Sequence, residues 1–263
     1  MSSLLTRVRI KQIEKLIEKG KRLDGRGLND YREIKIEQGL IEKAEGSARI
    51  LMGKTEVLVG VKVETGTPYS DTPNNGVMTV NAELVPIASP NFEPGPPDEN
   101  SIELARIVDR GIRESQAIDT EKLCIQPGKK VFVVFVDVYV LNHDGNLIDA
   151  SALAAVSALM NTKMPNYEIK DDEVVIKQGY TPLPMKSHPI TVTLGKINDK
   201  IIVDAWLEEE QVMDSRLSIA FNKDGHICAI QKGGSGYFTQ KQILEGMKLA
   251  KEKAAELRKQ MKW

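Results

Sequence analysis

The chain has 263 residues, which is enough for one large domain or for two related smaller ones. Lysine and arginine (36) nearly balance aspartate and glutamate (37), which excludes nucleic-acid binding through bulk positive charge. Any such contact must come from a local basic patch. The sequence has no apolar run long enough to span a bilayer and no signal-peptide pattern at its start, so we expect a cytoplasmic protein without membrane contact.

The first half of the sequence predicts a helix, several strands and then a buried helix. Apolar residues recur at helical spacing from Leu4 to Ile17, and Gly20 ends this helix. Runs rich in β-branched residues predict strands at 34–41, 46–51, 55–63, 78–85 and 130–141. The last of these runs is almost continuously apolar, which indicates a strand covered on both faces. The alanine-rich segment 149–160 predicts a helix packed closely on a sheet.

The second half repeats this plan. Strands are predicted at 190–194, 201–206, 217–222 and 226–231, and a final amphipathic helix presents apolar residues from Ile243 to Met261 on one face. Prolines punctuate the segment 182–189, which predicts a linker between the halves. Cys124 and Cys228 are far apart and lack the spacing of metal ligands, so we expect two buried free thiols and no metal site.

A helix that begins near residue 100 carries a pattern typical of phosphate binding. Asn100 and Glu103 form a plausible capping pair at its start. Three arginines at i, i+4 and i+7 project from one face of this helix: Arg106, Arg110 and Arg113. They could serve only in exposed pairs with Glu103 and Asp109, each worth ~0.2–0.5 kcal/mol. Because three arginines exceed two acidic partners, the surplus charge favours a track for phosphates.

Two further segments carry side chains of unexpected chemical character. A strand, a turn and a helix meet at 144–149, and the start of such a helix can bind an anion. Leu147 and Ile148 offer no side-chain donor there, and Asp149, interpreted as a helix cap, would repel a phosphate. His143 is interpreted as a turn residue rather than a base. In the acidic segment 204–216, Arg216 cannot act as an acid because guanidinium stays protonated.

The segment 204–216 resembles the acidic strand and loop of the RNase PH family, the phosphorolytic 3′→5′ exoribonucleases. The motifs Arg22-Leu-Asp-Gly-Arg26 and Gly46-Ser-Ala, together with residues 93–110, extend the resemblance to nearly the whole chain. The resemblance implies an α+β fold of the ribosomal protein S5 domain 2-like (RNase PH) type, with two β-α units, mixed sheets and packed helices. We expect an N-terminal helix and basic turn at 1–30, a first half at 31–181, a linker at 182–189 and a second half at 190–263.

Three departures from the family's pattern imply that this chain has lost the family's chemistry. Active members carry two aspartates six residues apart in the acidic loop, where this chain has Glu210 and Arg216. They place a hydroxyl residue and an arginine in the phosphate-binding turn, where this chain has Leu147 and Ile148. They carry basic residues before the arginine helix, where this chain has Pro-Asp-Glu at 97–99. Phosphorolysis needs a held phosphate and an acid near the leaving oxygen, so we expect no catalytic residue in this chain.

The resemblance then implies a non-catalytic ring subunit of the archaeal exosome. Three copies would alternate with three copies of a catalytic paralogue in a hexameric ring, a trimer of heterodimers. RNA-binding cap proteins would sit on one face, and single-stranded RNA would pass through the channel and contact Arg106, Arg110 and Arg113. This chain would bind no cofactor, and phosphate, with or without Mg²⁺, would belong to the partner's site.

The basic turn carries a separate expectation. By the same resemblance, Arg22, Arg26 and Arg32 would tie the first strand to a neighbouring subunit or to RNA. The alternative is a solvated turn that forms ordinary surface ion pairs.

Two other functions stay open on the residues alone. The chain could be a self-sufficient phosphorolytic exoribonuclease in which Glu210 or Asp214 replaces the missing carboxylate. It could also be a stand-alone RNA-binding module that needs no ring.

Overall fold

The computed structural model describes residues 4–170 and 173–261, so the predicted domain ends at 1–3 and 262–263 lie outside the described residues. In the first half the elements are α1 (Leu4–Glu18), β1 (Ile34–Gln38), β2 (Gly46–Met52), β3 (Thr55–Gly66), β4 (Val77–Leu84), α2 (Glu99–Glu114), a 3₁₀ turn (Thr120–Leu123), β5 (Cys124–Gln126), β6 (Lys130–Asn142), α3 (Leu147–Asn161), β7 (Lys163–Lys170) and β8 (Glu173–Pro182). In the second half they are β9 (Ile190–Ile197), β10 (Lys200–Val203), α4 (Leu207–Glu210), β11 (Ser215–Phe221), β12 (Ile227–Gly233) and α5 (Gln240–Gln260). The predicted strands and helices of both halves are therefore present, with ends shifted by a few residues.

The first sheet has the strand order β1-β2-β3-β6-β4, and β5 pairs with β6. The pair β4 and β6 is parallel and the other pairs are antiparallel, so the sheet is mixed. The prediction that residues 130–141 are covered on both faces is wrong. From Val134 to Val140 every second side chain of β6 is buried, whereas Phe135, Asp137 and Tyr139 are partly exposed. This alternation arises because the helices pack on one face of the sheet.

The second sheet is antiparallel with the order β10-β9-β11-β12. The predicted strand 201–206 ends early, at Val203, because Asp204 adopts a left-handed backbone conformation with φ of +51°. A separate hairpin of β7 and β8 was not predicted. Polar and apolar residues are mixed along it, and Pro165 lies at an irregularity in its pairing, so the hairpin has no clear alternating pattern.

Helices join the two sheets around one continuous apolar core. The helix α3 packs on β2 and β3 and also contacts β9, while α2 lies on β4 and reaches β12. Fully buried alanines let α3 approach the strands closely, as predicted: Ala150, Ala154, Ala155 and Ala158. The helix α5 covers β9 and β11. A smaller apolar cluster docks α1 through Ile13 and Ile17 onto Ile197 and Ile202.

Two local predictions need correction. Asp98, rather than Asn100, is the N-cap of α2, and its carboxylate accepts a hydrogen bond of 2.8 Å from the backbone N–H of Ser101. The helix therefore begins at Glu99, two residues earlier than an Asn100 cap allows. Cys124 and Cys228 are free thiols, as predicted, but both are partly exposed rather than buried. In the part of the chain that the structure describes, no helix is long and apolar enough to cross a membrane.

Candidate functional site

The four predicted positions of the degenerate site lie together. Leu147 and Ile148 at the start of α3, Glu210 at the end of α4 and Arg216 on β11 line one cavity of about 310 Å³. The four residues come from both halves of the chain, and α2 closes the cavity with Glu103 and Leu104. We call this space the remnant cavity.

A tight turn at residues 144–146 positions the start of α3 beside the acidic loop. Gly145 has φ of +85°, and a Cβ there would lie 2.5–2.6 Å from backbone atoms of residues 205–207. Asn146, the N-cap of α3, is also left-handed, with φ of +51°. Only glycine can occupy position 145, because the two backbones meet without space for a side chain.

The turn before α3 lacks the side-chain donors expected to hold a phosphate, and one of its backbone donors is already bound. The backbone N–H of Asn146 donates to Oε1 of Glu210 at 2.8 Å, so a carboxylate of this chain already binds this turn. Leu147 and Ile148 contribute only apolar surface. The arrangement disfavours phosphate in this cavity, since a phosphate at the turn would meet the Glu210 carboxylate, and Arg216, which lines the same cavity, is already paired with Glu103.

The interpretation of Asp149 as a helix cap is wrong. Its Oδ2 accepts hydrogen bonds from the Tyr31 hydroxyl at 2.7 Å, the Thr193 N–H at 3.0 Å and the Asn146 side-chain amide at 3.0 Å. The carboxylate therefore links the first strand region, α3 and β9. Burial raises the pKa of Asp149 to about 6, although these hydrogen bonds oppose the shift.

Burial also shifts the two titratable groups that face each other in the remnant cavity. It raises the pKa of Glu210 to about 7, against the opposing effects of the Asn146 N–H and the charges of Arg216 and Arg32. It lowers the pKa of His143, whose ring stacks on Phe92 with 5.4 Å between centroids. His143 Nδ1 accepts from the Gly145 N–H at 3.3 Å, which agrees with its interpretation as a turn residue.

Arg216 pairs with α2 rather than with a ligand. Its Nη2 lies 2.5 Å from Oε2 of Glu103. The predicted intrahelical pair between Glu103 and Arg106 is therefore wrong, because a cation from β11 takes the carboxylate. The Nε of Arg216 is buried without a hydrogen-bond partner among the described residues.

The structure brings two of the three predicted RNA-binding arginines together. Arg106 and Arg110 are exposed and line a groove of about 340 Å³ between α2 and β12, which we call the arginine groove. Neither forms a hydrogen bond or ion pair with any residue that the structure describes. Arg113 lies apart from the groove, since its Nη2 contacts Asp109 Oδ1 at 2.6 Å and donates to the Met78 carbonyl at 3.0 Å.

The expectation that the arginines of the basic turn face a neighbouring subunit or RNA finds no support in their contacts. These side chains bind the second half of this same chain, in a set that we call the buried clamp: Arg22, Arg26, Arg32, Asp204 and Glu209. Arg32 binds both carboxylate oxygens of Asp204, at 2.9 Å from Nε and 2.7 Å from Nη2. Arg26 Nη1 reaches the same carboxylate at 2.8 Å, and Arg22 pairs with Glu209.

Neither the solvated-turn alternative nor the interface expectation describes this set. The side chains of Arg22, Asp204 and Glu209 are 0–1% exposed, so the pairs are internal. One sequence signal could have indicated this arrangement: Asp204 stands between apolar residues at the end of a strand. A buried carboxylate needs a cationic partner.

The described residues contain no group of three or more histidine, cysteine, aspartate or glutamate side chains placed to hold a metal ion. In the acidic loop, the three consecutive glutamates contact three different partners. Glu209 faces Arg22, Glu210 faces Asn146, and Glu208 pairs with Arg9.

Comparison with known families gives two successive matches. Residues 30–165 match the model of domain 1 of the 3′ exoribonuclease family, RNase PH, and residues 187–253 match the model of domain 2 of this family. The two matches together span well over half of the chain.

Similar proteins cover the chain almost from end to end. Exosome complex component Rrp42 of Thermococcus gammatolerans is 56% identical over 250 residues, covering 94% of this chain and 92% of that protein. The Rrp42 component of Methanopyrus kandleri is 49% identical over 260 residues, covering 98% of this chain and 97% of that protein.

Solved structures give the same result. A chain of the Archaeoglobus fulgidus exosome with RNA bound to the active site has a TM-score of 0.91 and 47% identity, covering 98% of this chain and 99% of that chain. A chain of an archaeal exosome core has a TM-score of 0.87 and 43% identity, covering 98% and 97%. The predicted α+β fold of two β-α units with mixed sheets is confirmed.

Proposed function

Since this chain belongs to the RNase PH family of 3′ exoribonucleases, we propose that it is a non-catalytic ring subunit of an archaeal exosome. In this role it binds RNA and shapes the phosphorolytic site of a catalytic paralogue. The similar proteins named as exosome components, and the similar chain in an exosome with RNA bound, support the assignment. The observation that carries the non-catalytic part is the contact of Glu210 with the Asn146 N–H inside the remnant cavity.

Two requirements of phosphorolysis fail in this cavity. Orthophosphate needs cationic and N–H donors that hold it in line with the terminal phosphodiester. Here the side chains of Leu147 and Ile148 contribute no donor, and the backbone N–H of Asn146 is bound to Glu210. A general acid adds roughly 10²–10⁴-fold in rate only when the reacting groups are in place. The protonated fraction of Glu210 therefore has no bound phosphate to assist.

The chain contributes cations through the arginine groove. Arg106 and Arg110 are exposed side by side and have no carboxylate partner among the described residues, so both are available to RNA phosphates. Arg113 is held by Asp109 and Met78, and we assign it to the structure of α2 rather than to RNA.

The proposed assembly is a hexameric ring in which three copies alternate with three copies of the catalytic paralogue. RNA-binding cap proteins lie on one face, and single-stranded RNA reaches the paralogue's site past this chain's arginine groove. Phosphate, with or without Mg²⁺, belongs to the paralogue's site in this proposal, since the carboxylates of this chain's acidic loop point to separate partners.

The alternative enzymatic function needs a carboxylate to replace the missing one, and the two candidates are Glu210 and Asp214. Asp214 is exposed outside the wall of the remnant cavity, and its Oδ2 accepts the Asn198 N–H at 2.9 Å. Of the two candidate carboxylates, Glu210 lines the remnant cavity and Asp214 does not.

A phosphorolysis assay separates the two functions. Labelled RNA and orthophosphate are incubated with this chain, with the catalytic paralogue, and with the co-expressed complex, and nucleoside diphosphates are measured. We expect products only where the paralogue is present. Robust diphosphate release by this chain alone, abolished by Glu210→Gln, would establish the enzymatic alternative.

Native mass spectrometry tests the stand-alone module. We expect the co-expressed chains to form a hexamer with three copies of each. A chain that stays monomeric at micromolar concentration in the presence of the paralogue would contradict the ring assignment.

A further inference from the structure

Glu103 separates the two cavities of this molecule, because its side chain lines both the remnant cavity and the arginine groove. We propose that Arg216 is a positioning residue for RNA binding, which holds Glu103 away from Arg106 and Arg110. The inference rests on the proposed function, since it assumes that the arginine groove binds RNA. It gives a role to Arg216, which stands at a position where active members of the family carry an aspartate.

The ion pair is well placed for this role. Arg216 Nη2 lies 2.5 Å from Glu103 Oε2, and the two side chains are 26% and 39% exposed. On α2, Glu103 precedes Arg106 by three residues, a spacing at which carboxylate and guanidinium groups normally meet. In this structure they do not, and Arg106 has no ion-pair partner among the residues described. The carboxylate has been drawn to β11.

The neighbouring strand fixes the direction of Arg216. Gly233 of β12 is its cross-strand partner, and a Cβ at position 233 would lie 2.8 Å from Nε and Cζ of the guanidinium. The absence of a side chain on Gly233 thus creates the space in which the guanidinium lies. Any larger residue at position 233 would push the guanidinium aside without changing its charge.

The electrostatic consequence concerns the groove. Glu99 and Glu103 face the same groove as Arg106 and Arg110, so these four side chains alone sum to zero charge. Pairing of Glu103 with Arg216 removes one of the two carboxylates from competition with RNA phosphates. An aspartate at position 216 would instead repel Glu103 and return it to Arg106.

A double-mutant cycle in the complex with the catalytic paralogue tests the inference. The measurement is the affinity for a fluorescently labelled single-stranded oligoadenylate at several salt concentrations. We expect Arg216→Gln to weaken binding by about three- to ten-fold, because a released Glu103 competes for one phosphate-binding cation. In a Glu103→Gln background the same substitution should have no effect.

Each outcome decides the inference. Equal weakening in both backgrounds would mean that Arg216 binds RNA directly, and an unchanged affinity of Arg216→Gln would mean that Glu103 does not compete; both overturn it. Gly233→Ala is the second variant, since it displaces the guanidinium but keeps its charge, and it should reproduce part of the loss. If Arg216→Gln does not assemble, the result with Gly233→Ala decides.

The proposed function can fail separately. Replacement of Arg106 and Arg110 by alanine leaves RNA affinity unchanged if the groove does not bind RNA. If that replacement weakens binding while the cycle shows no coupling, only the role of Arg216 is lost.

Discussion

The buried clamp and the remnant cavity lie on either side of the 144–146 turn and treat their carboxylates in opposite ways. Asp204 is bound by Arg26 and Arg32 within the protein, whereas Glu210 has a single backbone donor and no arginine in hydrogen-bond contact among the described residues. Burial alone would raise the pKa of Asp204, but the hydrogen bonds and charge of Arg32 outweigh burial and hold that pKa below its ordinary value. For Glu210 the balance is reversed, and the pKa rises to about 7.

The difference shows which part of an active-site architecture has been kept. The clamp fixes the two halves of the chain to each other, so its charges contribute to folding. In the remnant cavity beside it, Glu210 accepts one backbone hydrogen bond, and the arginine of the cavity wall, Arg216, is paired with Glu103. On the proposed function, the family fold is kept in this chain without the family's chemistry, because different residues carry the two tasks.

The largest expected effect comes from breaking the clamp. Asp204→Asn keeps a residue that tolerates the left-handed backbone but removes the charge opposite Arg26 and Arg32. Loss of one partner from a buried ion pair typically costs about 3–5 kcal/mol, so we expect a destabilisation of that order in denaturant unfolding at neutral pH.

Two partly exposed ion pairs of Arg49 provide the control for that experiment. Arg49 contacts Glu37 and Glu56 at the surface of the first sheet. Arg49→Gln should cost at most about 1 kcal/mol. Equal costs for the two variants would show that the clamp is no more than a surface pair. Because the pKa of Asp204 is lowered, its contribution should disappear as the pH falls below about 3.8.

The next prediction concerns RNA binding at the arginine groove, which α2 separates from the remnant cavity. Arg106→Ala with Arg110→Ala should lower the affinity of the complex for single-stranded RNA on the order of ten-fold and reduce the salt slope by about 1.4. Arg113→Ala is the matched control, because its guanidinium is held by Asp109 and Met78. An equal loss of RNA affinity for Arg113→Ala would contradict the assignment of RNA binding to the arginine groove.

The charge of Glu210 can be tested through pH-dependent stability. Because the folded state keeps this proton up to about pH 7, the stability of the wild type falls as pH rises from about 4.5 to about 7. Glu210→Gln keeps an acceptor for the Asn146 N–H and removes the titration. The shift corresponds to roughly 3 kcal/mol, and since the side chain is 30% exposed we expect a gain of about 1–2 kcal/mol at pH 8.

The gain should vanish below about pH 4.5, where both states are protonated. Glu252→Gln, on the exposed surface of α5, is the control for removal of one negative charge. A constant difference between Glu210→Gln and the wild type across the whole range would show that the carboxyl of Glu210 titrates normally.

The sequence predicted those helices and strands whose residue pattern lies within one continuous segment of the chain. The strands β3 and β6 and the helix α3 are long and rich in residues suited to them, so local patterning located them. The hairpin of β7 and β8 lacks such a pattern and was missed. That Leu147 and Glu210 share a cavity could be expected only from the family resemblance, because their spacing in the chain predicts no contact.

Pairings between distant segments could not be predicted. Arg32 and Asp204 are 172 positions apart, and nothing local in either segment names the other. For Glu103 the sequence showed only its helical neighbour Arg106, whereas folding brings the guanidinium of Arg216 closer. Long-range charge partners depend on topology, which periodicity does not encode.

The smallest expected effect concerns the start of α2, the helix that both cavities share. The Asp98 carboxylate accepts the Ser101 N–H, so Asp98→Ala should cost about 1 kcal/mol in unfolding free energy, while Asn100→Ala should cost less. The hydrogen bonds from Ser101, chiefly from its backbone N–H, lower the pKa of Asp98, so the cap should be lost as pH falls below about 3.8. A larger cost for Asn100→Ala than for Asp98→Ala in thermal unfolding would contradict this assignment. It would show that Asn100 caps α2 and that the helix begins closer to Glu103.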